Sequence, residues 1–496
     1  MGKKDNKKKG KGAEKTALKT AKKAQSKLNK SLVAKGEDNI EALIASFVEN
    51  DRKKERVAED LVDPPSARSG CSLVASPDKD LLYLFGGSYF NGQKTFMYNE
   101  LYTYNIKKNS WLKLCTPLAP PPRCSQQAVI VAQGGGQIWV FGGEFASPTQ
   151  SQFYHYKDLW CYHIQEKRWE KVDAPGGPSS RSGHRMVTNG KEIFVFGGFH
   201  ETISDARYFN DVYRFTIADR IWTKIEPINQ GPTPRSGVQL SMTDNRILLY
   251  GGYAKEKNGK NAERGVTCTD MFYLAEDKSG KWKWSPVKQG GSKPSPRSGM
   301  SIVTGTTNKA YLFGGVCDDE DEETIKSSCM NDFYLLETDK GLWKHLELRQ
   351  ERPKETENLV DSSMENLQIE DTVEEVKTDG IFTVKISSAP TTSSGDVQDS
   401  AGARPGVEKK FVPHPRMSTC LAIKHGILFL YGGIFESGDK QYTLRDMYCI
   451  DLHKMDQWKP LIELNAKELE WFDSDSGSDD SDDEDMVDSG SDGGSD

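Results

Sequence analysis

The sequence predicts an all-β, six-bladed propeller, and three recurring features carry that expectation. An apolar run ending in two glycines occurs six times: LYLFGG at 82–87, IWVFGG at 138–143, IFVFGG at 193–198, ILLYGG at 247–252, AYLFGG at 310–315 and LFLYGG at 428–433. The first four doublets lie 56, 55 and 54 residues apart, the next 63 and the last 118. A tryptophan follows each doublet: Trp111, Trp169, Trp222, Trp282 or Trp284, Trp343 and Trp458. Between them an acid stands two residues before an aromatic, as Glu100/Tyr102, Asp158/Trp160, Asp211/Tyr213, Asp270/Phe272, Asp332/Tyr334 and Asp446/Tyr448. Self-similarity at this period marks repeat architectures whose units bury their faces against one another.

Each unit reads as four short strands. In the third, strand a is GHRMVT after Arg181, b is EIFVF, c is DVYRFTI and d surrounds Ile221-Trp222-Thr-Lys-Ile225. Short β-branched and aromatic runs between turn residues are the antiparallel signal. The pairs Gly86/Gly87, Gly142/Gly143, Gly197/Gly198, Gly251/Gly252, Gly314/Gly315 and Gly432/Gly433 end strand b where a β-carbon does not fit. An arginine opens every strand a: Arg68, Arg123, Arg181, Arg235, Arg297 and Arg416. Four precede Ser-Gly, whereas Arg123 precedes Cys-Ser and Arg416 precedes Met-Ser. All four strands of a unit are contiguous, so the ring closes either by packing of the first and last blades or through a flanking strand.

Apolar run, Gly-Gly, spaced aromatic and tryptophan together resemble the kelch motif, over roughly residues 66–348 and 410–465. The resemblance implies a six-bladed propeller of four-stranded antiparallel blades that binds other proteins. Arginines on one face of other kelch propellers contact acidic ligands, and some kelch propellers are copper oxidases. Among the eight histidines, His155, His184 and His200 cluster in units two and three, but no pair has ligand spacing. No phosphate-binding loop, nucleophile elbow or zinc cluster occurs. The expectation is a non-enzyme with no cofactor and no metal.

In an up-and-down sheet the starts of a and c and the ends of b and d share one face. That face receives the arginines, the glycine pairs and the acids, together with b–c loops of twelve to seventeen residues. Long connections are where function concentrates. Loops one to three carry Tyr89, Phe90, Phe96, Tyr98, Phe145, Phe153, Tyr154, Tyr156, Tyr208 and Phe209. Of these, Tyr89, Phe90, Tyr154, Tyr156 and Tyr208, with the six arginines, are the candidate partner-binding residues. Loop four (YAKEKNGKNAERG) is basic and loop five (CDDEDEE) acidic. Two readings stay open for the arginines: internal pairing with the strand-c acids, or a grip on an acidic peptide. The aromatics can likewise fold back on their own loops.

The flanks differ in kind. The net charge of −7 combines thirteen lysines in residues 1–35 with eleven acids in residues 473–496. The division expected is a lysine-rich tail (1–36), an amphipathic helix (37–62), blades one to five (63–348), a disordered insertion (349–410), blade six (411–465) and an acidic tail (466–496). Ile40, Leu43, Ile44, Phe47 and Val48 form the helix's apolar stripe, and Asp38 with Glu41 resembles a capping pair. Ser476, Ser481 and Ser489 each have an acid three residues later and are phosphorylation candidates. The lysine tract lacks aromatics for base reading, so specific nucleic-acid binding is not expected. No run spans a membrane, and nine scattered cysteines suit a reducing compartment, cytoplasm or nucleus. The functional expectation is a monomeric scaffold binding proteins through its b–c and d–a loops. The alternative is an assembly factor whose acidic tail holds basic clients.

Overall fold

The computed structural model describes residues 39–54, 56–202, 206–258, 262–306, 308–320, 325–349, 410–465, 471 and 472, with Lys19, Lys23, Ser26, Lys30, Leu32 and Leu469. Met1–Leu348 with Val412–Asp496 makes one compact unit. Arg349–Phe411 is a second, of which only the ends are described; there the Lys410 ammonium donates to the Arg349 carbonyl at 2.7 Å. The insertion, including Ile381–Ile386, lies outside the described residues, as do the three candidate phosphoserines.

Among the described residues of the larger unit, six antiparallel blades follow one another. Blade two shows the pattern: Gln127–Val131, Gln137–Phe141, Leu159–His163 and Arg168–Val172, paired in chain order. Strands b and c are apolar at consecutive positions because each blade is sandwiched between two others. Ile138, Trp139, Val140 and Phe141 are therefore all buried. Strand d is the outer strand and is less buried: Trp169 and Val172 are buried while Arg168 and Lys171 are exposed.

The expectation that every glycine pair ends strand b needs correction in two blades. In blade one the strand Leu81–Phe85 stops before Gly86 and Gly87, and a separate strand begins at Ser88. In blades four and six strand b runs on through Gly251-Gly252 and Gly432-Gly433, as Arg246–Asn258 and Ile427–Ser437. The pairs there mark a bulge instead: the register with strand c shifts between Tyr250 and Gly252, and between Tyr431 and Gly433. The steric part of the expectation holds in all three. A β-carbon on Gly87, Gly252 or Gly433 would lie 2.9, 2.9 or 2.7 Å from the carbonyl of Ser69, Ser236 or Met417, the residue after the blade's own arginine.

Six of the core clusters each join two adjacent blades, and each contains the same contact. The strand-d tryptophan packs on the last aromatic before the preceding blade's glycine pair. Trp169 meets Phe85 with ring centroids 5.1 Å apart, Trp222 meets Phe141 at 5.5 Å, and Trp284 meets Phe196 at 5.8 Å. Trp343 meets Tyr250 at 4.9 Å and Trp458 meets Phe313 at 5.7 Å. Trp111 of blade one meets Tyr431 of blade six at 6.2 Å, so the ring closes by the packing used at every other seam. In blade four the buried tryptophan is Trp284, and Trp282 is half-buried.

A second ring of contacts surrounds the axis. The backbone N–H of Ser125 donates to the Gly70 carbonyl, Gly183 to Ser125, Gly237 to Gly183 and Ser418 to Gly299, at 2.7–3.1 Å. The residues at this position, two after each arginine, share a left-handed conformation with φ from 53° to 62°. Ser-Gly after the arginine thus supplies the residue that adopts positive φ without strain. Ser125 and Ser418 adopt it with a side chain.

The N-terminal flank differs from the helix expected over 37–62. The helix is Ile40–Arg52, and its cap is Asn39, whose side chain accepts from the Glu41 N–H at 2.8 Å. Ala58–Val62 is instead a strand, pairing antiparallel with strand d of blade one (Ala58 with Cys115, Val62 with Trp111). It makes a fifth, outer strand, and Val62 packs beside Leu461 and Ile462 of blade six. No helix among the described residues is long and apolar enough to cross a membrane.

Two glycines separate backbone strain from steric exclusion. At Gly237 a β-carbon meets nothing within 4 Å, so Gly237→Ala carries only the cost of positive φ, about 1–2 kcal/mol. At Gly432 the β-carbon would lie 2.8 Å from the Arg68 carbonyl across the closing seam, and Gly432→Ala should cost roughly 2–5 kcal/mol. Denaturant unfolding of the two variants measures the difference.

Candidate functional site

All six arginines are buried, at 0–2% exposure. Five of them make the same clasp. In blade six, the Arg416 Nε donates to the His414 carbonyl at 2.9 Å and Nη1 to the Gly432 carbonyl at 3.1 Å. Both terminal nitrogens then meet the Asp446 carboxylate, at 2.6 and 2.7 Å. Arg123 grips Asp158 and Gly142, and Arg181 grips Asp211 and Gly197. Arg235 grips Asp270 and Gly251, and Arg297 grips Asp332 and Gly314. Blade one departs from the pattern: Glu100 replaces aspartate, and its nearest carboxylate oxygen is 3.6 Å from Arg68. Of the two readings left open by the sequence, the geometry is that of internal pairing. The arginines therefore present no charge to a partner, which corrects their place among partner-binding residues.

The clasp also holds neighbouring blades. Gly87 of blade one donates its N–H to the Arg123 carbonyl of blade two at 2.8 Å, and Gly143, Gly198 and Gly315 do the same to Arg181, Arg235 and Arg416. A β-carbon on Gly86 would lie 2.8 Å from that Arg123 oxygen. Aromatic rings cover several guanidinium groups, as Tyr156 does Arg123 at 3.9 Å, Phe209 does Arg181 at 4.1 Å and Tyr98 does Arg68 at 4.2 Å.

The long b–c loops of blades one to three are two-stranded ribbons, separate from the blade sheets. Ser88–Phe90 pairs with Thr95–Met97, Glu144–Ala146 with Phe153–His155, and Phe199–Glu201 with Ala206–Tyr208. The helix lies on the first two ribbons: Ile40, Leu43 and Ile44 pack against Met97, Phe145, Ala146 and Tyr156. Phe47 sets its edge on Phe145 at 6.0 Å. The Ile40 N–H donates to Gln152 and the Asn99 amide to Asp51, tying both helix ends down. The other flank reaches the same face. Trp471 packs between Phe90 and Tyr442, and the Phe472 N–H donates to the Asn91 carbonyl at 2.8 Å.

The candidate aromatics divide accordingly. Tyr156 is buried, its hydroxyl donating to the Pro122 carbonyl at 3.1 Å; it belongs to the clasp and not to an accessible surface. Tyr89 stacks on Phe96, Phe90 meets Trp471, and Tyr208 packs on Phe199, all three half-buried. Tyr154 is 40% exposed, alongside Phe153 at 44%, Phe96 at 45% and Phe47 at 37%. Phe47 went unselected in the sequence because it stands in the apolar stripe of an amphipathic helix.

A polar cluster ties ribbons two and three. The Ser182 hydroxyl donates to Glu144 Oε2 at 2.8 Å, and the Glu201 N–H donates to His155 Nε2 at 3.1 Å. That leaves the Nδ1 proton of His155 facing Glu144 Oε2 at 3.6 Å. Burial pushes the Glu144 carboxyl up to about 7 and the His155 imidazole down to about 4. The serine donates to the carboxylate and not to the imidazole, so this arrangement does not activate a nucleophile. His184 is fully buried against Phe141, and burial holds it well below its ordinary value. Among the described residues no group of three histidine, cysteine or acidic side chains is placed to hold a metal ion. An acid directly after the glycine pair occurs only in unit two, the one sequence signal for Glu144.

Residues 40–252 match the family model described as the KLHDC2/KLHL20/DRC7 Kelch-repeats domain. Host cell factor of Drosophila melanogaster is 26% identical over 298 residues, covering 54% of this chain and 18% of that protein. Kelch domain-containing protein 3 of Homo sapiens is 28% identical over 195 residues, covering 38% and 48%. Kelch domain-containing protein 2 of Bos taurus is 23% identical over 234 residues, covering 44% and 55%. The chain thus spans well under two thirds of these relatives. A solved structure described as "Structure of YjhT" superimposes with a TM-score of 0.50 at 14% identity, covering 81% of this chain and 99% of that one, a likeness of fold.

The clasp and the polar cluster each yield a measurable consequence. Asp446→Ala leaves Arg416 charged and buried and should cost about 3–5 kcal/mol, whereas Glu100→Ala, removing a longer and partly exposed contact, should cost about 1 kcal/mol or less. Chemical denaturation compares them. Because folded Glu144 keeps its proton to about pH 7 while the unfolded chain releases it near 4.5, this group's contribution to stability falls as pH rises between those values. Glu144→Gln should therefore gain stability relative to wild type from pH 5 to pH 8, by about 2–3 kcal/mol at the upper end. Melting curves across that range check the sign.

Proposed function

We propose that this chain, a kelch-repeat β-propeller and in general terms a protein-interaction scaffold, holds a protein partner on the face formed by the helix and the first ribbons, without catalysis. The observation that carries the proposal is the group of exposed aromatics Phe47, Phe96, Phe153 and Tyr154, set on a rigid base of Met97, Phe145 and Tyr156. Aromatic anchors on a preorganised surface bind with little loss of side-chain freedom. The buried arginines hold this surface in place and do not touch the partner.

A second reading is supported by the anchorage of Trp471. The acidic segment 473–496 begins directly after Phe472, whose N–H is bonded to the ribbon of blade one. A tail starting there would meet a basic client on the same side as the aromatics. The two readings predict opposite responses to salt, because exposed charges separated by more than a Debye length of about 8 Å at 0.15 M are largely screened.

Affinity capture from cells, compared across three forms, distinguishes them. Phe153→Ala/Tyr154→Ala removes only exposed rings and should leave the melting temperature within about 2 °C while abolishing the specific partners. Those partners should persist in high salt. If they survive this double substitution but are lost when the chain ends at Phe472, and are lost equally in high salt, the acidic segment is the binding element.

A further inference from the structure

The propeller axis is a cavity of about 280 Å3, lined by the inner ends of the blades. Two thiols meet in it. The Sγ atoms of Cys71, in blade one, and Cys420, in blade six, are 3.3 Å apart, and Cys420 Sγ also lies 3.1 Å from the Cys71 carbonyl. Both side chains line the cavity although each residue is only 8% exposed. They are 349 residues apart in sequence and sit on the seam between the last and first blades. Between other neighbours the chain itself runs from blade to blade; across this seam it does not.

The surroundings favour chemistry between them. The hydrogen bond from Cys420 holds the Cys71 thiol below its ordinary value, with burial opposing and the Arg68 charge assisting. Arg185, from blade three, lines the same cavity; it donates to the His184 carbonyl and is not among the ion pairs of the described residues. The bond to Cys71 and burial push the Cys420 thiol well above its ordinary value, opposed by the charges of Arg185 and Arg68, so Cys71 is the thiol that ionises first. A disulfide requires the sulfurs to close to about 2.05 Å, a movement of little more than an ångström that side-chain rotation can supply.

We propose that Cys71 and Cys420 are an oxidisable dithiol that, on reaction with a peroxide, locks the propeller ring across its closing seam. The Cys71 thiolate attacks one oxygen of hydrogen peroxide, the O–O bond breaks, and the departing hydroxide takes a proton to leave as water. The resulting sulfenic acid is attacked by the Cys420 sulfur, which loses its proton; the S–O bond breaks and a second water departs. Two thiols are oxidised by two electrons and one peroxide is reduced to two waters. The bond closes a loop of about 350 residues in the denatured chain, so it restricts that state strongly.

The full-length protein tests this directly. After hydrogen peroxide and thiol blocking, trypsin without reduction should release residues 69–79 joined to residues 417–424. The joined species should rise with peroxide dose and vanish on dithiothreitol treatment. It should be absent from Cys71→Ser and Cys420→Ser, which serve as independent variants should one fold poorly. Followed by tryptophan fluorescence in guanidinium, the oxidised wild type should unfold at least about tenfold more slowly than the reduced protein. Two results overturn the proposal. One is oxidation of the partly exposed Cys317 without the joined peptides. The other is a joined species that unfolds at the reduced rate, which would place the opening of the ring elsewhere.

Discussion

The structure depends on a buried guanidinium repeated six times. An arginine deprived of water is tolerable only when its charge is matched and its N–H donors are taken. Here each side chain satisfies itself on groups that have to be brought together anyway: the carbonyl two residues upstream, the first glycine of the pair and, in five of the six blades, the acid before strand c. One side chain thereby fixes three points of a blade. Its own carbonyl receives the N–H of the preceding blade's second glycine, as Arg123 does from Gly87, so the same residue sets the spacing between blades. Replacing such a group by an apolar one of similar volume would keep the packing, but it would lose the geometry that aligns three chain segments.

The ribbons stand directly on this ring, and their positions follow from it. Ser69, Cys124, Ser182, Ser236, Ser298 and Met417, each next to an arginine, bridge to the first residue after a glycine pair. A ribbon's root is therefore held by the same bridge in every blade, while its tip lies beyond that bridge. That separation explains why the six roots are nearly alike whereas the tips range from aromatic in blades one to three to acidic in blade five. Blade one has the least regular clasp, with Glu100 at 3.6 Å, and both flanks bind to its ribbon: Met97 under the helix, Phe90 and Asn91 under the Trp471 segment.

Most of the fold was legible because the repeats make each position visible six times. Strand direction alone puts the start of a and the start of c on one face, which made the pairing of Arg123 with Asp158 one of two open readings; the geometry decides between them. The Ser-Gly signal was visible without its reason, a left-handed residue in the axial ring, and Ser125 and Ser418 show that the conformation rather than the residue is required. The glycine pairs were legible as crowded positions but not as bulges, because Gly252 and Gly433 carry the strand onward only where the ribbon beyond them keeps pairing. Single-copy features were less legible. AEDLV at 58–62 continues a helical pattern well enough locally, and only the open outer edge of Ser110–Cys115, distant in sequence, makes it a strand. Tyr156 looked like Tyr154, and their rings touch at 5.1 Å, yet Tyr156 stands just past the ribbon strand Phe153–His155, at its root, where it covers Arg123, while Tyr154 is left 40% exposed. Cys71 and Cys420 carried no signal at all, because their proximity exists only once the ring is closed.

The same distinction bears on where specificity can reside. A ring of paired charges has little field outside it, since each guanidinium faces a carboxylate at hydrogen-bond distance in five of six blades. Under the proposed function, recognition at the ribbons would rest on shape and apolar contact, which act only at close range. The long-range charge of the molecule is concentrated in its flanks, thirteen lysines at one end and eleven acids at the other. Because the Trp471 segment is bonded to the ribbon of blade one, the residue that precedes the acidic flank, Phe472, is held at that ribbon. A partner engaging both elements would gain the second contact as an intramolecular step, at an effective concentration set by the short span from Phe472. Charge would then govern how fast the partner arrives, and the aromatic ribbons how long it stays.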